Sequence, residues 1–199
     1  MFTGIIQILG KVKACEPEKD FFYLSIETQK TLKGVKLGSS VAIQGICLTV
    51  FAIHKRIYSF HVLEETLKKT ALHSLTPGQM VHLESSLKVG DEIGGHFVYG
   101  HGDGVGKVIS CKPLTQVGKS DMLLTIQPPK KLWRFFVLQG SVAVNGVSLT
   151  IAQMQKSTFT VCLVSFTVKN TLLANLKKGD EVNIECDMLA KYVQNKTIL

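Results

Sequence analysis

No cysteine pair is spaced as C-x-x-C, and the five cysteines (Cys15, Cys47, Cys111, Cys162, Cys186) are odd in number. That spacing and count argue against a disulfide framework and for a reducing compartment. No apolar run is long enough to span a membrane. The uncharged stretch from Ser39 to Ile53 falls short and alternates as a strand does. No basic residue precedes the apolar start Met1-Phe2-Thr3-Gly4-Ile5-Ile6, so a secretory signal is not expected. Basic residues outnumber acidic ones, 23 to 15, giving a net charge of +8, but they are dispersed. The densest group, Lys130, Lys131 and Arg134, is too small for a duplex footprint. The expectation is a cytoplasmic protein with neither nucleic acid nor membrane as partner.

What the chain does contain is itself, twice. Ser40-Val41-Ala42-Ile43-Gln44-Gly45-Ile46-Cys47-Leu48-Thr49-Val50 returns as Ser141-Val142-Ala143-Val144-Asn145-Gly146-Val147-Ser148-Leu149-Thr150-Ile151, at an offset of 101. The offset continues without a gap to Ser86, through identities such as Thr66/Thr167, Thr70/Thr171, Gly78/Gly179 and Glu84/Glu185. The opening segment recurs at an offset of 96, where Gly4 matches Gly100 and Gly10-Lys11-Val12 matches Gly106-Lys107-Val108. A gapless register over several elements indicates duplication, hence two domains, 1–89 and 90–187, with an unrepeated tail, 188–199. Each half shows short alternating runs bounded by turn residues. They predict strands from Phe2 to Leu9, from Phe21 to Ile26 and from Ile57 to Val62, helical turns at Gln29–Lys33 and Glu64–Thr70, and a small closed barrel. In the repeated strand Ile46, Leu48 and Val50 share one face, and Cys47 and Thr49 share the other. Leu189, Tyr192 and Val193 in the tail lie at helical spacing and predict a packing or oligomer face.

The segment Gly94-Gly95-His96-Phe97-Val98-Tyr99-Gly100-His101-Gly102-Asp103-Gly104 interleaves glycines with two histidines, which permits bends and close backbone approach to a ligand. It is not a P-loop, and with only Asp103 as a further nearby ligand it predicts no metal site. His96 and His101 are candidates for acid–base work or for hydrogen bonds within the bends. Cys47 is either a small hydrophobe or, beside Thr49 on the polar face, a site residue. Thr66 and Thr167 are helix caps or ligand contacts. Two like pockets suit two like molecules held face to face, where binding energy replaces an entropic barrier.

On these residues the sequence resembles the riboflavin synthase family. The carriers are Met1-Phe2-Thr3-Gly4-Ile5, Gly45-Ile46-Cys47-Leu48-Thr49-Val50 and Glu65-Thr66-Leu67, then Gly94-Gly95-His96, Gly100-His101-Gly102-Asp103-Gly104 and Gly146-Val147-Ser148-Leu149-Thr150. The resemblance implies an all-β fold of two tandem six-stranded Greek-key barrels followed by a short C-terminal trimerisation helix. It implies a dismutation without added cofactor, in which one 6,7-dimethyl-8-ribityllumazine donates four carbons to another, yielding riboflavin and 5-amino-6-ribitylamino-uracil. The active site would hold two lumazines between the first barrel of one subunit and the second barrel of its neighbour in a homotrimer. Association with lumazine synthase is a further partner it raises. Ser40, Cys47, Thr49, Glu65 and Thr66 would line the first pocket, and Ser148, Thr150, Ser165, Thr167 and Gln139 the second. Phe2, Thr3 and Gly4 would close the site, with Gly100 and His96 beside it and His101 assisting proton transfer at the lumazine 7-methyl group. The chain departs from the family pattern at Gln139 (commonly Lys), Asn145 (commonly Asp) and Ser165-Phe166-Thr167 (commonly Pro-His/Glu-Thr). A non-catalytic lumazine-binding carrier is the alternative implied by the same barrels, although the first-barrel motifs are intact here.

Overall fold

Side chains alternating at period two place one apolar row per strand, and such rows are buried when a sheet closes on itself. The computed structural model, which describes residues 1–114 and 121–196, closes twice. The first barrel comprises β1 (Ile8–Pro17), β2 (Phe22–Thr28), β3 (Ser40–Ile43), β4 (Ile46–His54), β5 (Ile57–Val62) and β6 (Met80–Ser85), in the circuit β1-β2-β5-β4-β3-β6. The second comprises β7 (Gly104–Pro113), β8 (Met122–Gln127), β9 (Ser141–Val144), β10 (Val147–Gln155), β11 (Thr158–Leu163) and β12 (Glu181–Cys186), paired β10-β11-β8-β7-β12-β9. These are the same circuit entered at a different strand. Even the bulges repeat: Val12/Ala14 recurs as Val108/Ser110, and Val50/Ala52 as Ile151/Gln153. An extra residue at those points bends the strand enough for closure.

Ile46, Leu48 and Val50 are buried inside the first barrel, and Val147, Leu149 and Ile151 inside the second, leaving Cys47 and Ser148 on the outer faces. Short helices follow each fifth strand, α1 (Glu64–Lys69) and α2 (Ser165–Asn170), and α3 (Met188–Lys196) ends the described chain. Leu189, Tyr192 and Val193 lie on α3 with most of their surface exposed. Lys191 anchors this helix to Asp103 at 2.7 Å. Residues 197–199 of the tail lie outside the described residues.

Two expectations fail locally. Gln29–Lys33 is not helical: Leu32 is buried, with its N–H donating to the Tyr58 hydroxyl at 2.9 Å, and Thr28 Oγ1 donates to the Lys30 carbonyl. Five residues cannot carry the nucleation cost of a helix against such tertiary ties. The N-terminal strand begins at Ile8 rather than Phe2, because Gly4 adopts φ +78° and turns the chain toward the other barrel.

The barrels meet back to back across a pseudo-twofold axis. Gln44-Gly45 and Asn145-Gly146 each have two positive φ values, as a type I′ hairpin requires. The turns are pressed together so closely that a Cβ on Gly45 would lie 2.5 Å from the Gly146 nitrogen. On either side of them, His82 and Asn183 are equivalent residues performing equivalent tasks. His82 Nδ1 bonds the Asn145 carbonyl at 2.9 Å, and its Nε2 accepts from the Leu172 N–H at 2.8 Å. Asn183 Nδ2 donates to the Gln44 carbonyl at 2.9 Å, and its Oδ1 accepts from the Ala71 N–H at 2.7 Å. The second bond fixes the His82 tautomer, with its proton on Nδ1. Burial pushes the His82 pKa down to about 4, against the opposing pull of the Asn145 carbonyl, so the ring is neutral at pH 7.

Candidate functional site

Each barrel's leader segment crosses to the other barrel. Phe2 and Val98 pair antiparallel, Phe2 N–H donating to the Val98 carbonyl at 2.6 Å and Val98 N–H to the Phe2 carbonyl at 3.0 Å. Beyond this bridge the Cys47 N–H donates to the Gly100 carbonyl, and the Ser148 N–H to the Gly4 carbonyl, both at 2.8 Å. A Cβ on Gly100 would come within 2.6 Å of Cys47 Cβ, and one on Gly4 within 2.6 Å of Ser148 Cβ. With φ values of +79° and +78°, these positions require glycine on conformational and steric grounds together.

Buried carboxylates hold the two crossings. Glu84 accepts from Thr3 N–H (2.7 Å), Thr3 Oγ1 (2.8 Å) and Gly4 N–H (3.0 Å). Its equivalent Glu185 accepts from the N–H groups of Tyr99, Gly100 and His101 at 2.6, 2.8 and 3.1 Å. Burial raises both carboxyls, that of Glu185 to about 7, although the N–H donors on each, and Lys191 near Glu185, pull the other way.

On the first barrel these elements leave a groove of about 210 Å³ lined by Cys47, Glu65, Thr66, Lys69, Gly100 and His101, among others. The structure therefore brings together Cys47, Glu65, Thr66, Gly100 and His101 from three separate stretches of sequence. Thr66 is not a cap: the α1 N-cap is Leu63, without a side-chain bond, and the Thr66 carbonyl accepts from Thr70 Oγ1 at 2.7 Å. Glu65 pairs with Lys69 at 2.6 Å, and the hydrogen bond from that ammonium lowers its pKa.

The second barrel carries a different group. His96 Nδ1 lies 2.7 Å from Ser148 Oγ, and the His96 N–H donates to the Thr3 carbonyl at 3.1 Å. The other ring nitrogen, Nε2, is buried and has no hydrogen-bond partner among the described residues. Burial lowers the His96 pKa despite the countervailing charge of Asp187, which leaves a neutral imidazole beside the hydroxyl. Ser165 is tied to Asp121, its N–H and hydroxyl donating to Oδ1 at 2.8 and 2.7 Å. The α2 N-cap is Val164, again without a side-chain bond, so Thr167 does not cap either.

Other expected site residues sit apart from these groups. Ser40 and Thr49 are register partners on the outer face of β3 and β4, as Ser141 and Thr150 are on β9 and β10. Gln139 is an exposed turn residue with φ +65°, its N–H donating to the Ile151 carbonyl. Asn145 belongs to the pseudo-dyad, where its Oδ1 accepts from the Asn183 N–H at 2.8 Å. Phe2 lies under the Cys47–Gly100 crossing, where a Cβ on Gly100 would come within 2.9 Å of Phe2 Cε2. Its ring is fully buried with Ala42, Val98 and Ala143, packed beneath Cys47, because the terminus is threaded between the barrels. Sequence reasoning missed Glu84 and Glu185 as the clamps and Lys69 as a lining cation. Identical acids at equivalent positions of the last strand of each repeat were the available signal.

Comparison with known proteins follows the same division of the chain. A family model described as the lumazine binding domain matches residues 3–86 and again 99–187. Riboflavin synthase of Bacillus subtilis (strain 168) is 38% identical over 193 residues, covering 97% of this chain and 88% of its own. That of Brucella abortus (strain 2308) is 38% identical over 197 residues, covering 96% of each. Among solved structures, LumP complexed with riboflavin aligns with a TM-score of 0.84 at 26% identity, covering 94% of this chain and 99% of that one. LumP complexed with 6,7-dimethyl-8-(1'-D-ribityl) lumazine aligns with a TM-score of 0.82, also at 26% identity and with the same coverage.

Proposed function

The chain belongs to the riboflavin synthase family of duplicated lumazine-binding domains, and from that premise we propose that it converts two molecules of 6,7-dimethyl-8-ribityllumazine into riboflavin and 5-amino-6-ribitylamino-uracil. The two products contain between them every atom of the two reactants, so the balance needs no oxidant, reductant or carrier.

The observation that carries the mechanism is the pair of unlike side-chain groups on a common frame. Cys47, Thr66 and His101 line the groove of the first barrel, and Ser148, bonded to His96, stands at the position equivalent to Cys47 on the second. Two identical reactants with different fates require such an inequality. The lumazine ring delocalises the carbanion formed when its 7-methyl group loses a proton, so the protein has to align the rings and handle protons. His96, kept neutral by burial, can take a proton through Ser148 Oγ, and His101 is placed to serve the ligand on the first barrel. Glu84 and Glu185 act through the backbone, holding Thr3-Gly4 and Tyr99-Gly100-His101 over the two strands.

A groove of about 210 Å³ is below the usual 300 Å³ or more of a ligand cavity. The missing wall is supplied in this reading by the second barrel of a neighbouring copy, in a homotrimer held partly by α3. A carrier role, as for LumP, is the second reading, favoured by the fold likeness; the higher identity to riboflavin synthases argues for the enzyme. The test is to incubate the purified protein with the ribityllumazine alone and follow riboflavin absorbance. Riboflavin formation in a one-to-two ratio to lumazine consumed is expected, and tight binding without product would decide for the carrier.

A further inference from the structure

The repeats share a backbone frame but not the chemistry mounted on it. Thr70 Oγ1 donates to the Thr66 carbonyl at 2.7 Å, and the equivalent Thr171 Oγ1 donates to the Thr167 carbonyl at the same 2.7 Å. On that shared frame Glu65 is replaced by Phe166, Lys69 by Asn170 and His101 by Ile5. In the first barrel Glu65 and Lys69 form an ion pair at 2.6 Å at the solvent end of the groove. In the second barrel the carboxylate gives way to a phenyl ring that is 74% exposed, and Ile5 is 44% exposed. The remaining polar group is turned back on its own helix, Asn170 Nδ2 donating to the Phe166 carbonyl at 2.8 Å.

A ribityl chain is a row of hydroxyls, each hydrogen-bonded in water. Glu65 and Lys69 offer an acceptor and donors that can replace those bonds; Phe166 offers neither. A planar heterocycle, by contrast, loses nothing by lying against a phenyl ring. A site built to bond a hydroxyl rejects the analogue lacking it by roughly tenfold or more, whereas an apolar wall discriminates weakly.

Resting on the lumazine reading above, we infer that this chain reads the ribityl side chain in only one of its two pockets. The first barrel selects the hydroxylated chain through Glu65 and Lys69, and the second barrel, with Phe166, accepts lumazines whose side chain is shortened or deoxygenated.

The donor lumazine gives up carbons 6 and 7 with their methyl groups and keeps its side chain on the diaminouracil. The acceptor gains those four carbons as a new ring and keeps its side chain on the flavin. An equimolar mixture of 6,7-dimethyl-8-ribityllumazine and 6,7-dimethyl-8-ethyllumazine therefore reports, by the masses of its products, which molecule occupied which role. Two crossed product pairs can form. One is riboflavin with the ethylamino-uracil; the other is the ethyl flavin with the ribitylamino-uracil. The expected result is that one crossed pair exceeds the other by about tenfold or more. In Phe166→Glu, which restores the carboxylate of the first barrel, the bias should fall toward unity as both crossed pairs are suppressed. Equal yields of the two crossed pairs from the wild-type protein would overturn the inference. Riboflavin from the natural substrate alone is measured in parallel. Its absence would instead sink the lumazine-conversion reading, so the two failures are distinguishable.

Discussion

Replacing His82 with Asn should make the protein resistant to mild acid. His82 bridges the barrels as a neutral imidazole, donating from Nδ1 and accepting at Nε2. Protonation would put a proton on the nitrogen that accepts from the Leu172 N–H and bury a charge between the barrels. The folded-state pKa is depressed from 6.5 to about 4, so the unfolded chain binds the proton first as pH falls. Stability is therefore intact above about pH 6.5 and is lost as pH falls through that value toward 4. A fall from 6.5 to about 4 corresponds to about 3 kcal/mol, a large share of a typical domain's stability. Asn is the natural replacement because Asn183 already makes the same two bonds, without a titrating group, on the other side of the axis. Glu185 titrates in an overlapping window with the opposite sign. Its pKa is raised to about 7, so its contribution is lost as pH rises from about 4.5 through 7. Wild type alone would show the two effects partly cancelling. The measurement is thus a difference: urea unfolding of wild type and His82→Asn at one protein concentration, from pH 7.5 to 4. The gap should be constant above pH 6.5 and then shift by up to about 3 kcal/mol in favour of the variant as pH reaches 4. Parallel curves across the whole range would refute the claim that His82 is held neutral by its place between the barrels.

The remaining predictions concern the same frame and the sites on it. Gly45→Ala should cost at least about 3 kcal/mol, since left-handed strain adds to collision with the Gly146 backbone. Gly38→Ala, with similar φ but open space around it, should cost only about 1 kcal/mol; equal melting temperatures in the two variants would show that the barrels are not in contact there. Cys47→Ala and His101→Ala should each lower riboflavin formation by about tenfold or more with stability changed by less than about 1 kcal/mol, and unchanged rates in both would remove them from the site. Deleting residues 191–199 removes the Lys191–Asp103 pair and the exposed Tyr192 and Val193, and should shift sedimentation from the proposed trimer toward monomer; a sedimentation coefficient consistent with a trimer before and after deletion would deprive α3 of that role.

The duplication, the strand pattern and the outward face of Cys47 and Ser148 were legible in the linear sequence because each depends on local periodicity. Side chains two residues apart share a face whatever the rest of the chain does, so burial of Ile46, Leu48 and Val50 followed from alternation alone. The short segment Gln29–Lys33 misled because its fate rests on Tyr58, whose hydroxyl holds the Leu32 N–H from a distant strand. The burial of Phe2 was out of reach for a similar reason. Nothing in Met1-Phe2-Thr3-Gly4 announces that a residue at the chain's start will be threaded between two barrels and bonded to Val98. The departure at Asn145 had no assigned place in the sequence; the structure puts it on the pseudo-dyad, with Asn183 and His82.

The sequence by itself determined that this protein is one barrel made twice, with a strand in each copy that turns Cys47 or Ser148 outward and a family signature spread over nearly its whole length. Only the tertiary structure decided how the copies serve each other. Glu84 and Glu185 clamp the two crossing leaders, Gly4 lies over Ser148, Gly100 lies over Cys47, and His82 and Asn183 trade bonds across the axis. Those contacts join residues 53 to 144 positions apart, as between Cys47 and Gly100 or Gly4 and Ser148. No periodicity encodes such pairs, because they are set by the angle at which two closed barrels, each with no strand edge left to offer, bury the turns between them.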